Sequence, residues 1–183
     1  MALILIHLTV HLTYTSLIHP YLSYGIEAWH GTYQNNTSKI FVLQNKAIRA
    51  INNLAYNEHT NAYFKCNKIL KLSDQYKLQV SNYIFQVLHS NIDEEIKSSL
   101  LINNQIHSHN TWTNNQMSIL RVNRSKTKHC VLHNGMITFN SLPDIFKVNV
   151  SFSMFKSKQG TKFLSGKILE NIDAGRHYDC IIF

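Results

Sequence analysis

The sequence is poor in the residues that punctuate or cross-link a chain. It has two prolines and six glycines in 183 residues. No Gly-rich phosphate-cradling loop can be assembled from so few glycines at their spacing, and no G-x-S-x-G nucleophile elbow exists. The three cysteines, Cys66, Cys130 and Cys180, are odd in number and far apart. They form no C-x-x-C pair and no disulfide framework, so reduced thiols are expected. No apolar run approaches the roughly 20 residues of a membrane span. The apolar start Ala2-Leu3-Ile4-Leu5-Ile6 has no basic segment before it, and His7, Thr9 and His11 interrupt it. It therefore reads as a buried helix or strand, and the expected location is cytoplasmic or nuclear, not secreted.

Acidic residues are the next shortage. Ten Asp and Glu face 18 Lys and Arg, a net charge of +8. A polyanion such as RNA or DNA is the partner such a balance favours, against the plain alternative of a solvated basic surface. Hydrophobic residues make up 44%, enough for a core, so the chain reads as globular. Asparagine pairs recur at Asn35-Asn36, Asn52-Asn53, Asn103-Asn104 and Asn114-Asn115. They are a compositional feature from which no function follows.

Helical periodicity dominates what remains, and the expected class is mainly α, with short extended segments and a polar, mobile middle. A helix is expected before Pro20 and another from Tyr21 to Trp29, although the alternation His7-Leu8-Thr9-Val10-His11-Leu12 also suits a strand. The clearest helix runs near Lys39 to Asn53, with Thr37 or Ser38 as N-cap and Ile40, Leu43, Ala47, Ile51 and Leu54 as its apolar face. Lys39, Lys46, Arg49 and Asn53 fall on a different face, and Asn52, Asn53 and Asn57 supply the stop. A second helix spans Gln75 to Ser90, capped at Ser73-Asp74, with Tyr76, Val80, Tyr83, Ile84, Val87 and Leu88 as a stripe. The Asp93-Glu94-Glu95 cluster suits the first turn of a short helix. Four regions follow: helical 1–90, a polar and basic linker 91–128, a block at 129–165 with a final helix, and a tail 166–183. No internal repeat is present.

Polymerase chemistry requires carboxylates that hold two metal ions about 4 Å apart. The acidic residues here are scattered, and adjacent residues such as Asp93, Glu94 and Glu95 do not share a helix face. His107-x-His109 and Cys130-x-x-His133 supply four possible metal ligands, but their spacing departs from paired zinc signatures, so no metal and no cofactor is assigned. Two groups of cations remain as candidate phosphate contacts: Lys39, Lys46 and Arg49 on one helix, and Arg121, Arg124, Lys126 and Lys128 in the densest basic stretch. Nothing in either group makes a base-reading code.

The segment Ser16-Leu17-Ile18-His19-Pro20-Tyr21-Leu22-Ser23-Tyr24-Gly25-Ile26-Glu27-Ala28-Trp29 resembles the region just after the catalytic domain of jockey-like non-LTR retrotransposon reverse transcriptases. That family continues with a helix of Leu-Gln, Lys-Ala and Ile-Arg pattern, here Phe41-Val42-Leu43-Gln44-Asn45-Lys46-Ala47-Ile48-Arg49. Ile69-Leu70-Lys71-Leu72 is similar to a short family element that precedes a long helix. The family's Gly, Trp-Asn-x-Leu-Pro and Phe-Lys order corresponds to Gly135, Phe139-Asn140-Ser141-Leu142-Pro143 and Phe155-Lys156. Phe139 stands where the family has Trp, which keeps an aromatic anchor and loses the indole donor. Gly160 interrupts the last helix where the family runs on. The resemblance spans roughly Leu12 to Leu164, with Asn91 to Thr127 aligning poorly, and the order of the motifs along one chain carries it.

The resemblance implies a thumb-like and trailing helical module that grips the backbone of template and primer. It implies no catalysis, because the family's catalytic aspartates lie upstream and no residue here matches them. The expectation is a non-catalytic, nucleic-acid-binding fragment of a truncated element, with no membrane partner. Two alternatives stay open: a decayed remnant that binds nothing specific, and a helical protein-interaction module.

Overall fold

The computed structural model describes residues 2–31, 34–89, 94–106, 116–119, 121–143, 147 and 151–160. The chain is mainly helical. It begins with α1 (Ala2–Leu17), α2 (His19–Ser23), α3 (Ile26–Trp29) and α4 (Gln34–Ile51), and continues with α5 (Asn61–Cys66) and α6 (Leu72–His89). Short helices α7 (Glu94–Ser99), α8 (Asn103–Ile106) and α9 (Ser125–Lys128) precede α10 (Val131–Asn140), and residues 152–160 form α11. Extended structure among the described residues is limited to an isolated antiparallel bridge between Ile102 and Met117. The strand reading of residues 7–12 is thereby replaced by α1. Residues 107–115, in the middle read as mobile, and the tail 166–183 lie outside the described residues.

The chain divides into two compact units, with the boundary between Tyr76 and Lys77 inside α6. In the first unit, Tyr14, Ile48, Phe64 and Ile69 form the core, with Ile18, Leu22, Ile51 and Tyr63 packed around them. Breaks between its helices have local causes. Gly25 takes φ +58°, a left-handed turn that a side chain would strain, and the Trp29 indole closes it by donating to the Tyr24 carbonyl at 2.8 Å. Helix α4 stops as the asparagines predict. Asn53 is left-handed at φ +53°, and the N–H groups of Asn53 and Leu54 bond the carbonyls of Ala50 and Arg49. That pair of bonds is the Schellman ending, in which Asn is tolerated next to Gly.

Both predicted N-caps are corrected. Helix α4 starts at Gln34, so Ser38 lies inside it, and its hydroxyl donates back to the Asn35 carbonyl at 3.0 Å. Helix α6 starts at Leu72, ahead of Ser73-Asp74. Its first N–H is accepted by the Gln44 side-chain oxygen at 3.0 Å, from a distant helix rather than from a neighbouring residue.

In the second unit, Ile84, Phe85, Val87, Leu100, Met117, Met136, Phe139, Leu142 and Phe155 make the core. The α6 stripe is as expected there: Val80, Ile84 and Val87 are buried, and Tyr83 and Leu88 pack at the edge. Phe155 of α11 stacks on Phe85 at a 4.0 Å ring separation. Asn140 clamps the backbone of Met117 with two bonds of 2.9 Å, one donated and one accepted. On its other side the same segment bonds Leu101 and Asn103, so a side-chain amide does the work of a neighbouring strand. The final helix is described to residue 160, with Gly160 still helical, and the residues after it lie outside the described ones. Glu94 and Glu95 occupy the first turn of α7, where the helix dipole favours them.

Cys130 is free and exposed. Cys66 is disulfide-bonded, which corrects the expectation of reduced thiols at that position. No helix among the described residues is long and apolar enough to cross a membrane.

Candidate nucleic-acid interface

Helix α4 contains Lys39, Lys46 and Arg49 and no acidic residue. At 3.6 residues per turn, Lys39 and Lys46 lie within about 20° of one another around the helix and about 10.5 Å apart along it. Both are exposed. Between them on the same face stand Val42 and Leu43, 49% and 59% exposed. Leu43 was expected in the core, and the structure corrects this. The buried face of α4 is centred on Gln44 and Ile48, at 1% and 0% exposure, turned by roughly a quarter of the helix circumference from the apolar stripe in the sequence.

Gln44 explains the rotation. Its amide nitrogen donates to the Tyr14 hydroxyl at 2.7 Å and to the Leu70 carbonyl at 3.1 Å, while its oxygen accepts from Leu72 N–H. With its main polar groups satisfied, burial of the amide is not penalised. The side chain joins α1, α4 and the start of α6. Burial also pushes the Tyr14 phenol above its ordinary value. Leu43, one residue away, is left facing water beside the two lysines.

Arg49 sits at the edge of this face and is half-buried. Its Nε donates to the Glu58 carbonyl at 2.9 Å. The Glu58 carboxylate is taken by the Tyr63 hydroxyl at 2.6 Å, and that bond, with burial behind it, holds the Tyr63 phenol above its usual value. Arg49 is therefore partly a structural residue: it anchors the loop after α4. The three cations are on one helix, as expected, and of the three Lys39 and Lys46 are exposed while Arg49 is half-buried.

The second group belongs to the second unit. Arg121, Arg124 and Lys128 are exposed around α9. The Arg124 carbonyl accepts the N–H groups of Thr127 and Lys128 and so starts that short helix. The side chain of Lys126 lies outside those described. Family models, curated proteins and solved structures offer no match to the chain.

For metal chemistry, His107 and His109 lie outside the described residues. Cys130 occupies the N-cap of α10 and His133 its first turn. No group of three His, Cys, Asp or Glu is placed to hold a metal ion among the described residues. One exposed residue of the first unit escaped sequence reading. Tyr56, 79% exposed, sits in a turn closed by the Glu58 N–H on the Ala55 carbonyl at 3.1 Å. Arg49 bonds the last residue of that turn through the Glu58 carbonyl.

Proposed function

We propose that the chain is a non-catalytic nucleic-acid-binding module, of the kind that follows the catalytic domain in jockey-like non-LTR reverse transcriptases. The observation that carries the reading is the exposed, acid-free face of α4 with Lys39 and Lys46. Two ammonium groups on a rigid helix pair with successive parts of a phosphate backbone and release its counterions. Such contacts position a strand without reading its bases. The absence of catalysis in this proposal follows from the scattered carboxylates of the sequence, and a place in the cytoplasm or nucleus belongs to the same proposal.

The test is a titration of RNA or DNA at several salt concentrations with wild type and a Lys39→Gln/Lys46→Gln variant. Arg49 is left intact because it anchors the following loop. Losing two phosphate contacts flattens the log-affinity against log-salt slope by about 1.5, at roughly 0.7 to 0.9 per contact. Helicity stays unchanged, since Gln and Lys have similar helix propensity. An unchanged slope with intact helicity overturns the assignment.

A second reading, docking of a protein partner, is favoured by Leu8, Leu12 and Leu17 of α1, which are 54%, 56% and 63% exposed. An apolar helix with leucines in water suits burial against further polypeptide. On that reading the same titration shows no salt-dependent binding.

A further inference from the structure

Phosphate contacts alone do not distinguish a single strand from a duplex, whereas an aromatic ring offered to an unpaired base does. Helix α4 ends in a left-handed Asn53, and the chain turns back at Ala55–Glu58. Arg49 holds that turn by its bond to the Glu58 carbonyl. Arg49 is three residues, just under one helical turn, beyond Lys46. The turn's second residue is Tyr56, which is 79% exposed. An exposed aromatic side chain on a turn bonded to Arg49, following the helix that carries Lys39 and Lys46, suits the arrangement that single-strand binders use. Cations follow the backbone and the ring offers its face to an unpaired base. In a duplex the bases are already stacked on each other, and a ring in this position has nothing to cover.

Resting on the nucleic-acid reading above, we propose that Tyr56 stacks on an unpaired nucleobase of a single strand whose phosphates run along Lys46 and Lys39. Stacking is sequence-tolerant, because every base has a π face. It adds a contribution that does not depend on counterion release. The Tyr56 and lysine contributions therefore separate by their response to salt.

The experiment uses the full chain and two labelled probes, an oligouridylate or oligothymidylate of about 16 nucleotides, the upper end of a single binding site, and a mixed-sequence duplex of equal length. Wild type favours the single strand. Tyr56→Ala weakens single-strand binding by about 5- to 150-fold, the effect of losing one base–aromatic stack. It leaves duplex affinity and the salt slope unchanged, and Tyr56→Trp restores or strengthens binding. The high exposure of Tyr56 makes all three proteins equally folded, which circular dichroism verifies. If Tyr56→Ala binds the single strand like wild type, or loses both probes equally, the stacking role is overturned. If Lys39→Gln/Lys46→Gln still flattens the slope in that case, the phosphate reading stands alone. Wild type that binds neither probe in a salt-dependent way removes both.

Discussion

A single glutamine organises the first unit. Gln44 is 1% exposed and makes three hydrogen bonds, to Tyr14, Leu70 and Leu72. Replacing it with Leu keeps much of the volume but strands the Leu72 N–H and the Leu70 carbonyl. Leaving a buried polar group unpaired costs about 1 to 3 kcal/mol, so Gln44→Leu lowers stability by at least that order in urea denaturation. Gln44→Glu is the sharper variant. It retains the acceptor for Leu72 but turns a carboxylate oxygen toward the Leu70 carbonyl, so it is less stable than Gln44→Leu at neutral pH and recovers on acidification until other groups titrate. A Gln44→Leu protein as stable as wild type shows that the amide is dispensable.

Between elements, Gly135 of α10 lies directly against Ile84 and Val80 of α6. A Cβ built there would lie 2.7 Å from Ile84 Cγ1, 2.9 Å from its Cδ1 and 3.1 Å from Val80 Cγ1. Gly135→Ala therefore overpacks the contact of α10 with α6 and costs about 1 to 3 kcal/mol, the usual range for added methyl groups in a filled core. The cost shrinks in an Ile84→Ala background, and a double-mutant cycle measures the coupling. Equal costs in both backgrounds show that the clash is relieved elsewhere. The α6 stripe was legible in the sequence because its apolar spacing and its burial coincide. The α4 face was legible only in part. Lys39 and Lys46 are on solvent as their charge demands, whereas the core position of Gln44 depends on partners at Tyr14 and Leu70 that no local pattern contains. For the same reason the start of α6 was misplaced: its cap comes from another helix. Tyr56 was invisible as a site residue because its relation to Arg49 is set by one side-chain bond across a loop.

At the scale of the whole molecule, acid adds charge to a chain that is already basic, since 11 histidines join a net +8. Two effects on stability then act together. Self-repulsion is general and screened by salt. The other effect is local. His30 stacks on Tyr76 at 4.2 Å, and His19 bonds Gln75 at 3.3 Å beside the Tyr14 ring. Burial holds both imidazoles below their ordinary value, with the nearby His11 adding to the effect at His19. A folded-state value below the unfolded one means the unfolded chain binds more protons. The stability they contribute is complete above the ordinary value of 6.5 and is lost as pH falls from there through the depressed values. Denaturation midpoints therefore fall from neutral to mildly acid pH even in high salt, and His30→Phe, which keeps the stack, reduces that fall. A pH dependence that vanishes entirely in high salt assigns the whole effect to self-repulsion.

The exchange of roles between positions 43 and 44 also sets how this sequence can change over many generations of copying. Leu43, the more hydrophobic of the two, is 59% exposed, while Gln44 is at 1%. For stability alone, position 43 accepts polar residues at almost no cost, because surface substitutions away from special features change stability little. Position 44 admits almost nothing but glutamine, since any replacement has to serve a hydroxyl, a carbonyl and a helix start at once.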